Sequence, residues 1–419
     1  MRPRSLDQWL TYIETVHPAQ IEMGLDRVRS VAARLGFEAP DFAPAPRSVI
    51  VAGTNGKGST CIFTEALLLG AGLSVGTTLS PHLQRFNERV RIGGAPVADE
   101  FLCAGFERVE AARAGVPLTY FEFSALVALE RFRAAKVDVA VLEVGLGGRL
   151  DAFNLVSADV AAVTSIGLDH QAYLGDDLES IGREKAGVMR PGQTVVLGAE
   201  VTKSVIDRAR ELGCRLRRCG ETFHVNLQPD RWSFEGAAGV FRDLPWGRLA
   251  PENCAVALEI AASFTDIQAP LVRQALEQAV LPGRCETRSA GDRLVILDVA
   301  HNPAGARFLC RQLQARYPGR RFRAVLGMLA DKDATGVADA LSPVVSEWIC
   351  VGTSGSRGLS VRTLMDRLSP GIPVKAAADV DQALAVALQS SPAEDGILVL
   401  GSFSVVGQAR ERLDAGAAR

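Results

Sequence analysis

The sequence predicts an α/β fold with two domains, and three observations support this prediction. Short apolar runs typical of buried strands alternate with helix-like segments along most of the chain. The chain has 419 residues, more than the ~250 to 300 at which a single core tends to divide. The alternation begins again beyond residue 285, which predicts domains at 1–285 and 286–419.

The first domain opens with a helical pattern over residues 5–36, which the prolines of 39–46 interrupt. The first strand is the apolar run at 48–52. Further strands and helices are predicted at 75–78, 101–114, 121–135, 137–144 and 160–165. Alternation of this kind favours a parallel sheet with helices on both faces. Short alternating runs at 223–241 indicate a small antiparallel insertion.

The second domain repeats the strand and helix alternation on a smaller scale. Its strands are predicted at 294–299, 322–326, 348–351 and 397–400, with a helical segment between successive strands. This pattern predicts a smaller Rossmann-like α/β C-terminal domain.

A glycine-rich segment follows the first strand and precedes a helix-like segment. It reads Gly53-Thr54-Asn55-Gly56-Lys57-Gly58-Ser59-Thr60. Glycines allow backbone amides to turn inward, the helix N-terminus adds positive potential, and a lysine reaches the terminal phosphates of a nucleotide. Val51 replaces the first glycine of the usual pattern, and Gly58 separates Lys57 from Ser59. We interpret the segment as an irregular P-loop for ATP or GTP, so the first domain is P-loop-type; the alternative is a turn without a ligand.

Bulk composition excludes several classes of protein. The formal net charge is −2, and no basic block indicates a nucleic-acid partner. The 8 cysteines are scattered without Cys-x-x-Cys pairs, as in a reducing compartment. The N-terminal segment lacks the apolar core of a signal peptide, and no apolar run approaches ~20 residues. We expect a soluble, cytoplasmic protein that does not bind a membrane.

Polar side chains follow three of the predicted strands. Glu143 ends one strand, His170 follows the next, and Ser80 follows the strand at 75–78. Ligands in open α/β sheets bind at the carboxyl ends of strands, so these side chains could hold nucleotide-bound Mg²⁺. The alternatives are a helix cap for Glu143, a structural histidine, and a polar loop for 80–90.

The second domain offers groups that could act on the nucleotide from across a cleft. Arg284 stands at the proposed hinge, and Asp298 to Pro303 follow the first strand of this domain. An arginine and a histidine, His301, delivered on domain closure would neutralise charge during phosphoryl transfer and exclude water. A surface arginine and a helix N-terminal loop are the alternatives.

Several segments together resemble the folylpolyglutamate synthase family of Mur-ligase-like, ATP-dependent amide-forming enzymes. They are 53–59, 80–83, 143–151, Asp169-His170, 184–187 and 298–303. Segments 24–28 and 118–122 resemble the pterin side of the bifunctional bacterial form, which also makes dihydrofolate. The resemblance covers nearly the whole chain in the same order.

The resemblance implies that ATP phosphorylates a carboxylate, that L-glutamate attacks the acyl phosphate, and that phosphate leaves. Dihydropteroate and reduced folates would be the acceptors. L-Glutamate would bind on the side of domain 286–419, and the enzyme would be a monomer. The implied ATP-binding residues are Thr54, Asn55, Gly56, Lys57, Gly58, Ser59, Thr60, Asn253, Arg284 and Asp298. The implied pterin-binding residues are Leu25, Asp26, Arg27, Thr119, Tyr120, Phe121, Glu122, Leu150, Asp151 and Ala152. The implied catalytic residues are Lys57, Lys185 and His301, and the implied Mg²⁺ ligands are Ser80, Glu143 and His170.

Lys185 resembles a lysine that members of the family carry as a carbamate, whereas charge pattern alone favours a solvated helical lysine. Two positions depart from the family pattern: Phe153 replaces a small polar residue, and Cys285 replaces a larger apolar one. Phe153 bears on pterin preference. The alternatives are another Mur-type amino-acid ligase and a nucleotide switch, although the chain lacks the Asn-Lys-x-Asp motif of such switches.

Overall fold

A computed structural model describes residues 3–19, 21–355, 357–368, 371–390 and 394–417. The chain forms two compact units, Met1–Ala279 and Val280–Arg419. The predicted boundary at residue 285 lies close to this division, and the roles assigned to the two domains stay predictions.

The first unit contains most of the secondary structure. Its helices are α1 (Leu6–Val16), α2 (Asp26–Arg34), α3 (Lys57–Gly70), α4 (Asp99–Arg113), α5 (Tyr120–Ala135), α6 (Gln171–Leu174), α7 (Leu178–Ala186), α8 (Lys203–Glu211), α9 (Pro251–Ala261) and α10 (Ala269–Gln278). Its strands are β1 (Arg47–Ala52), β2 (Val75–Thr78), β3 (Val90–Ile92), β4 (Ala95–Pro96), β5 (Val139–Glu143), β6 (Val160–Val163), β7 (Thr194–Leu197), β8 (Arg215–Arg218), β9 (His224–Leu227), β10 (Arg231–Gly236) and β11 (Gly239–Pro245). Short 3₁₀ turns form at Phe86–Arg89 and Ala152–Leu155.

The main sheet of this unit has 8 strands in the order β4-β3-β2-β5-β1-β6-β7-β8. From β2 to β8 neighbouring strands are parallel, and β3 and β4 add an antiparallel edge. Strands β1 and β5 are buried along nearly their whole length because helices cover both faces. The prediction of a parallel sheet in this unit is therefore confirmed.

The predicted antiparallel insertion is also present, as a 3-stranded sheet in the order β11-β10-β9. Trp232 and Phe234 lie two residues apart on β10, and both side chains point inward and are fully buried. The carboxylate of Glu259 on α9 accepts a hydrogen bond of 2.7 Å from the backbone N–H of Ala237, in the turn between β10 and β11. This bond attaches the small sheet to α9.

The second unit is a smaller α/β domain. Its strands are β12 (Glu286–Ala290), β13 (Arg293–Asp298), β14 (Phe322–Leu326), β15 (Val345–Cys350), β16 (Val374–Ala376) and β17 (Gly396–Leu400). Its helices are α11 (Pro303–Arg316), α12 (Ala334–Leu341), α13 (Val361–Asp366), α14 (Val380–Ser390) and α15 (Phe403–Ala417). The 6 strands lie in the order β12-β13-β17-β14-β15-β16, parallel except for β12.

The structure adds elements that the pattern of the sequence does not predict. Strands β7, β8, β12 and β16 have short or charged sequences whose strand state depends on a neighbour in the sheet. The helical pattern over 5–36 divides into α1 and α2. Within the described ranges, no helix is both long and apolar enough to span a membrane.

Candidate active site

The glycine-rich loop lies between β1 and α3, at the carboxyl edge of the main sheet. Gly53 and Gly56 have φ values of 145° and 88°, which side chains other than glycine rarely adopt. A Cβ at Gly53 would collide with the Thr164 hydroxyl, and one at Gly56 would collide with the Asn253 side chain. The loop is thus packed between the end of β6 and the start of α9, with room for backbone only.

Two lysines converge on this loop. Lys57 Nζ donates to the carbonyl oxygens of Gly53 and Thr54 at 3.0 and 3.2 Å. Lys185 Nζ, from α7, donates to the same Gly53 oxygen at 2.9 Å. Burial, with a further contribution from the Lys57 charge, lowers the pKa of Lys185 to about 7. Two amines therefore meet at one carbonyl of the loop where phosphates would lie, and burial weakens the positive charge of Lys185.

Glu143 stands beside the loop, as its position at a strand end predicts. It pairs in register with Val51 of β1 and is 5% exposed. Its carboxylate accepts a hydrogen bond of 2.8 Å from the backbone N–H of Ser80, which follows the neighbouring strand β2. Ser80 and Glu143 are therefore brought together at one edge of the sheet.

His170 follows β6, the strand on the other side of β1 from β5. It has a φ of 53° and its backbone N–H donates to Asp169 Oδ1 at 2.8 Å. Ser80, Glu143 and His170 thus lie at or after the ends of β2, β5 and β6 on the same edge of the sheet, with β1 between β5 and β6. Within the described ranges, no three His, Cys, Asp or Glu side chains are arranged to hold a metal ion. The predicted Mg²⁺ ligands are a different kind of set, because one of them is a serine, Ser80.

On the predicted pterin side, two of the residues bind each other. Arg27 Nε and Nη2 donate to the buried carboxylate of Glu122 at 3.0 to 3.3 Å, and Arg27 also pairs with Glu22. Thr119 caps α5 by exchanging hydrogen bonds with Glu122. The side chain of Asp26 is fully exposed, in contrast.

Asp151 organises the turn after β5. Its carboxylate accepts hydrogen bonds from the backbone N–H groups of Gly145, Leu146 and Phe153 at 2.9 to 3.1 Å. Burial raises the pKa of Asp151 to about 6, although these bonds oppose the shift. Within this segment Asp151 is thus bonded to the backbone of its own loop.

Other predicted pterin-side residues near this turn differ in exposure. Leu25 and Ala152 are buried, whereas Leu150, Tyr120 and Phe121 are partly exposed. Phe153, which departs from the family pattern, is buried and packs edge-to-face on Phe121 with a centroid distance of 5.7 Å.

The predicted residues of the second unit lie before β12, in the case of Arg284, and at or just after the end of β13. Asp298 accepts backbone hydrogen bonds from Cys285 and Ala300 at 2.7 and 2.8 Å, and burial raises its pKa while the Arg284 charge opposes the shift. The Arg284 guanidinium lies 5.3 Å from the ring centroid of Phe403. His301 Nδ1 is 2.9 Å from the backbone oxygen of Val299.

The polar loop at 80–90 contains a residue to which the sequence assigned no role. Arg89 Nε donates to His82 Nδ1 at 2.7 Å, and burial lowers the pKa of His82 to about 4. The Arg89 guanidinium faces the rings of Phe86 and Tyr120. An arginine in the polar loop that follows a predicted strand is the available signal in the sequence, but the partners of Arg89 are set only by the fold.

Comparison with known proteins gives consistent results. Residues 283–403 match the family model described as Mur ligase, glutamate ligase domain. The dihydrofolate synthase/folylpolyglutamate synthase of Escherichia coli is 43% identical over 412 residues, covering 98% of this chain and 96% of that relative.

Two solved structures are similar over almost all of the chain. Escherichia coli FolC in complex with DHPP and ADP has a TM-score of 0.93 and 42% identity, with 98% of both chains covered. A bifunctional folylpolyglutamate synthase/dihydrofolate synthase with Mn, AMPPNP and L-glutamate bound has a TM-score of 0.89 and 43% identity, again with 98% of both chains covered. The chain belongs to the dihydrofolate synthase/folylpolyglutamate synthase family of ATP-dependent ligases, within the Mur ligases.

Proposed function

We propose that this chain joins L-glutamate to dihydropteroate, giving dihydrofolate, and to reduced folates, giving folylpolyglutamates. A carboxylate oxygen of the acceptor attacks the γ-phosphorus of ATP, and ADP leaves. The amine of glutamate then attacks the acyl carbon, and phosphate departs with that carboxylate oxygen. The observation that carries the proposal is the contact of Lys57 and Lys185 with one loop carbonyl beside the Ser80 and Glu143 pair.

Residues of both units are proposed to bind ATP. In the first unit, the glycine loop leaves space for backbone only, as a phosphate cradle requires, and Asn253 packs against it. Asn253 and, in the second unit, Asp298 are proposed to contact the adenosine, and Arg284 and His301 the phosphates. The full set is Thr54, Asn55, Gly56, Lys57, Gly58, Ser59, Thr60, Asn253, Arg284 and Asp298.

Mg²⁺ is the proposed metal, held by Ser80, Glu143 and His170. The donor set fits, because a buried carboxylate and a hydroxyl are hard oxygen ligands and one neutral imidazole can complete them. When bound, the ion would neutralise phosphate charge during transfer. The protein residues hold the loop and place Lys57 against the phosphates.

The pterin is proposed to bind near the turn that Asp151 organises and the start of α5. Arg27 and Glu122 would shape this subsite through their mutual ion pair. The full set is Leu25, Asp26, Arg27, Thr119, Tyr120, Phe121, Glu122, Leu150, Asp151 and Ala152. The burial of Phe153 supports a packing role for this residue.

Lys185 is proposed to carry a carbamate. The modification would convert a cation into an anionic oxygen ligand for a second Mg²⁺. A buried amine held beside Lys57 is favoured in its neutral form, the form that reacts with carbon dioxide. If Lys185→Ala kept full activity and gained nothing from added short carboxylic acids, this assignment would be wrong.

The enzyme is further proposed to be cytoplasmic and monomeric.

ADP release, measured with each component omitted in turn, tests the function. Release should require Mg²⁺, L-glutamate and an acceptor, and should occur with dihydropteroate and with a reduced folate. No release with either acceptor would contradict the ligase function, and release with the folate alone would contradict the bifunctional one.

A further inference from the structure

Arg89 carries a charge that no carboxylate among the described residues contacts directly. Its side chain donates one hydrogen bond, from Nε to His82 Nδ1 at 2.7 Å. Because Nε is only a donor, Nδ1 must be the acceptor nitrogen of the ring. No carboxylate of the described chain forms an ion pair with Arg89.

The nearest acidic residue along the chain is engaged elsewhere. Glu88 accepts hydrogen bonds from the backbone N–H groups of Leu83, Gln84 and Arg85 at 2.7 to 3.0 Å. These bonds fold the loop before Arg89 and use the carboxylate fully. Glu88 therefore gives the loop its shape, and both Glu88 and Glu143 attract the Arg89 charge without forming an ion pair with it.

Aromatic rings form the remaining surroundings of the guanidinium. Its central carbon lies 5.7 Å from the ring centroid of Phe86 and 5.5 Å from that of Tyr120. Burial lowers the pKa of Arg89, although part of the residue stays exposed. Cation–π contacts offset only part of the loss of hydration. A desolvated but accessible guanidinium whose direct contacts are neutral is suited to bind an anion.

The position of Arg89 indicates which anion. Its backbone oxygen accepts a hydrogen bond of 3.1 Å from Leu79 N–H, and the next residue, Ser80, donates to Glu143. On its other side is Tyr120, the first residue of α5. Arg89 thus lies between the proposed metal ligands and the proposed pterin subsite, where the acceptor carboxylate must approach ATP.

We propose that Arg89 binds the reacting carboxylate of the pterin-bearing acceptor, with His82 as a positioning residue that fixes the guanidinium. The inference rests on the proposed function, from which the acceptor is taken. A guanidinium can hold a carboxylate through two parallel hydrogen bonds. It would reduce the repulsion between this anion and the phosphates of ATP.

Ligand binding in the absence of ATP tests this directly. The probes are pteroate and its carboxamide analogue, titrated against wild-type protein, Arg89→Met and the matched control Arg85→Met. Arg85 lies on the same loop, but its side chain is 71% exposed and pairs with Asp99. Wild type and the control should bind pteroate much more tightly than the carboxamide. Arg89→Met should lose about a hundredfold in affinity for pteroate and little for the carboxamide.

Thermal unfolding separates this role from a structural one. Removing a partly buried charge without a counter-ion should leave the Tm of Arg89→Met unchanged or raised. Equal discrimination between the two probes in wild type and Arg89→Met would overturn the proposal, as would equal loss of affinity for both probes. ADP release by the wild type is scored separately, so failure of the ligase function is distinguished from failure at Arg89.

Discussion

Lys57 and Lys185 donate to the same carbonyl oxygen, that of Gly53, and this contact governs the electrostatics of the loop. Two ammonium groups so close repel each other unless an anion lies between them. In the chain itself the repulsion is reduced because the pKa of Lys185 is lowered to about 7. A bound triphosphate would supply the missing negative charge.

Nucleotide binding should therefore depend on Lys57. Mg²⁺ and AMPPNP together should raise the Tm of the wild type by several degrees, because a ligand of the folded state stabilises it. Lys57→Met should lose this shift while folding normally. The matched control is Lys203→Met on α8, whose side chain is 79% exposed. An undiminished shift in Lys57→Met would contradict the assignment.

Lys185 should make stability depend on pH in a defined window. Its pKa in the folded chain, about 7, lies below its ordinary value of 10.5. Between these values the unfolded chain binds more protons, so the free energy of unfolding should rise with pH. In buffer free of carbon dioxide, Lys185→Met should have the higher Tm at pH 7, and the difference should shrink towards pH 10.5. A constant difference in thermal melts across this range would show that the pKa is not lowered.

At the scale of elements, hydrogen bonds and close packing join the turn after β5 to helix α7. The backbone N–H of Arg149 donates to the backbone oxygen of Glu184 at 2.8 Å. A Cβ on Gly148 would lie 2.8 Å from the backbone oxygen of Lys185. Asn154 Nδ2 bridges the backbone oxygens of Arg149 and Gly187 at 2.8 and 3.1 Å. The proposed pterin turn is thereby fixed to the helix that carries Lys185.

Gly148→Ala should separate these two elements. The added methyl group would force the turn away from α7, which should lower the Tm by several degrees and reduce ligation more than nucleotide binding. Gly24→Ala is the control for folding, since no atom lies within 4 Å of the position of its Cβ. Retention of both Tm and ligation by Gly148→Ala would mean that the contact is loose.

The sequence predicted the parts of the site that depend on strand order. Glu143 and Ser80 end or follow neighbouring strands, and parallel strands present their carboxyl ends at one edge. It did not predict the pairing of Arg27 with Glu122 or the contact of Arg89 with His82. These depend on which helices pack together, and local pattern carries no information about that choice.

At the scale of the whole molecule, the proposed ATP-binding residues are divided between the two units. The first contributes the glycine loop and Asn253, and the second contributes Arg284 and Asp298. Among the described residues, the first unit has an 8-stranded and a 3-stranded sheet, the second has a 6-stranded sheet, and each unit has a core of its own. In the proposed reaction, one chain carries out both phosphoryl transfer and amide formation.

The most direct test of carboxylate activation follows the oxygen atoms. Dihydropteroate labelled with heavy oxygen in its carboxylate is incubated with the enzyme, ATP, Mg²⁺ and L-glutamate, and the released phosphate is analysed by mass spectrometry. We predict that each phosphate carries one labelled oxygen, since the acyl phosphate forms through that atom. Dihydrofolate formation with unlabelled phosphate would contradict the acyl-phosphate route.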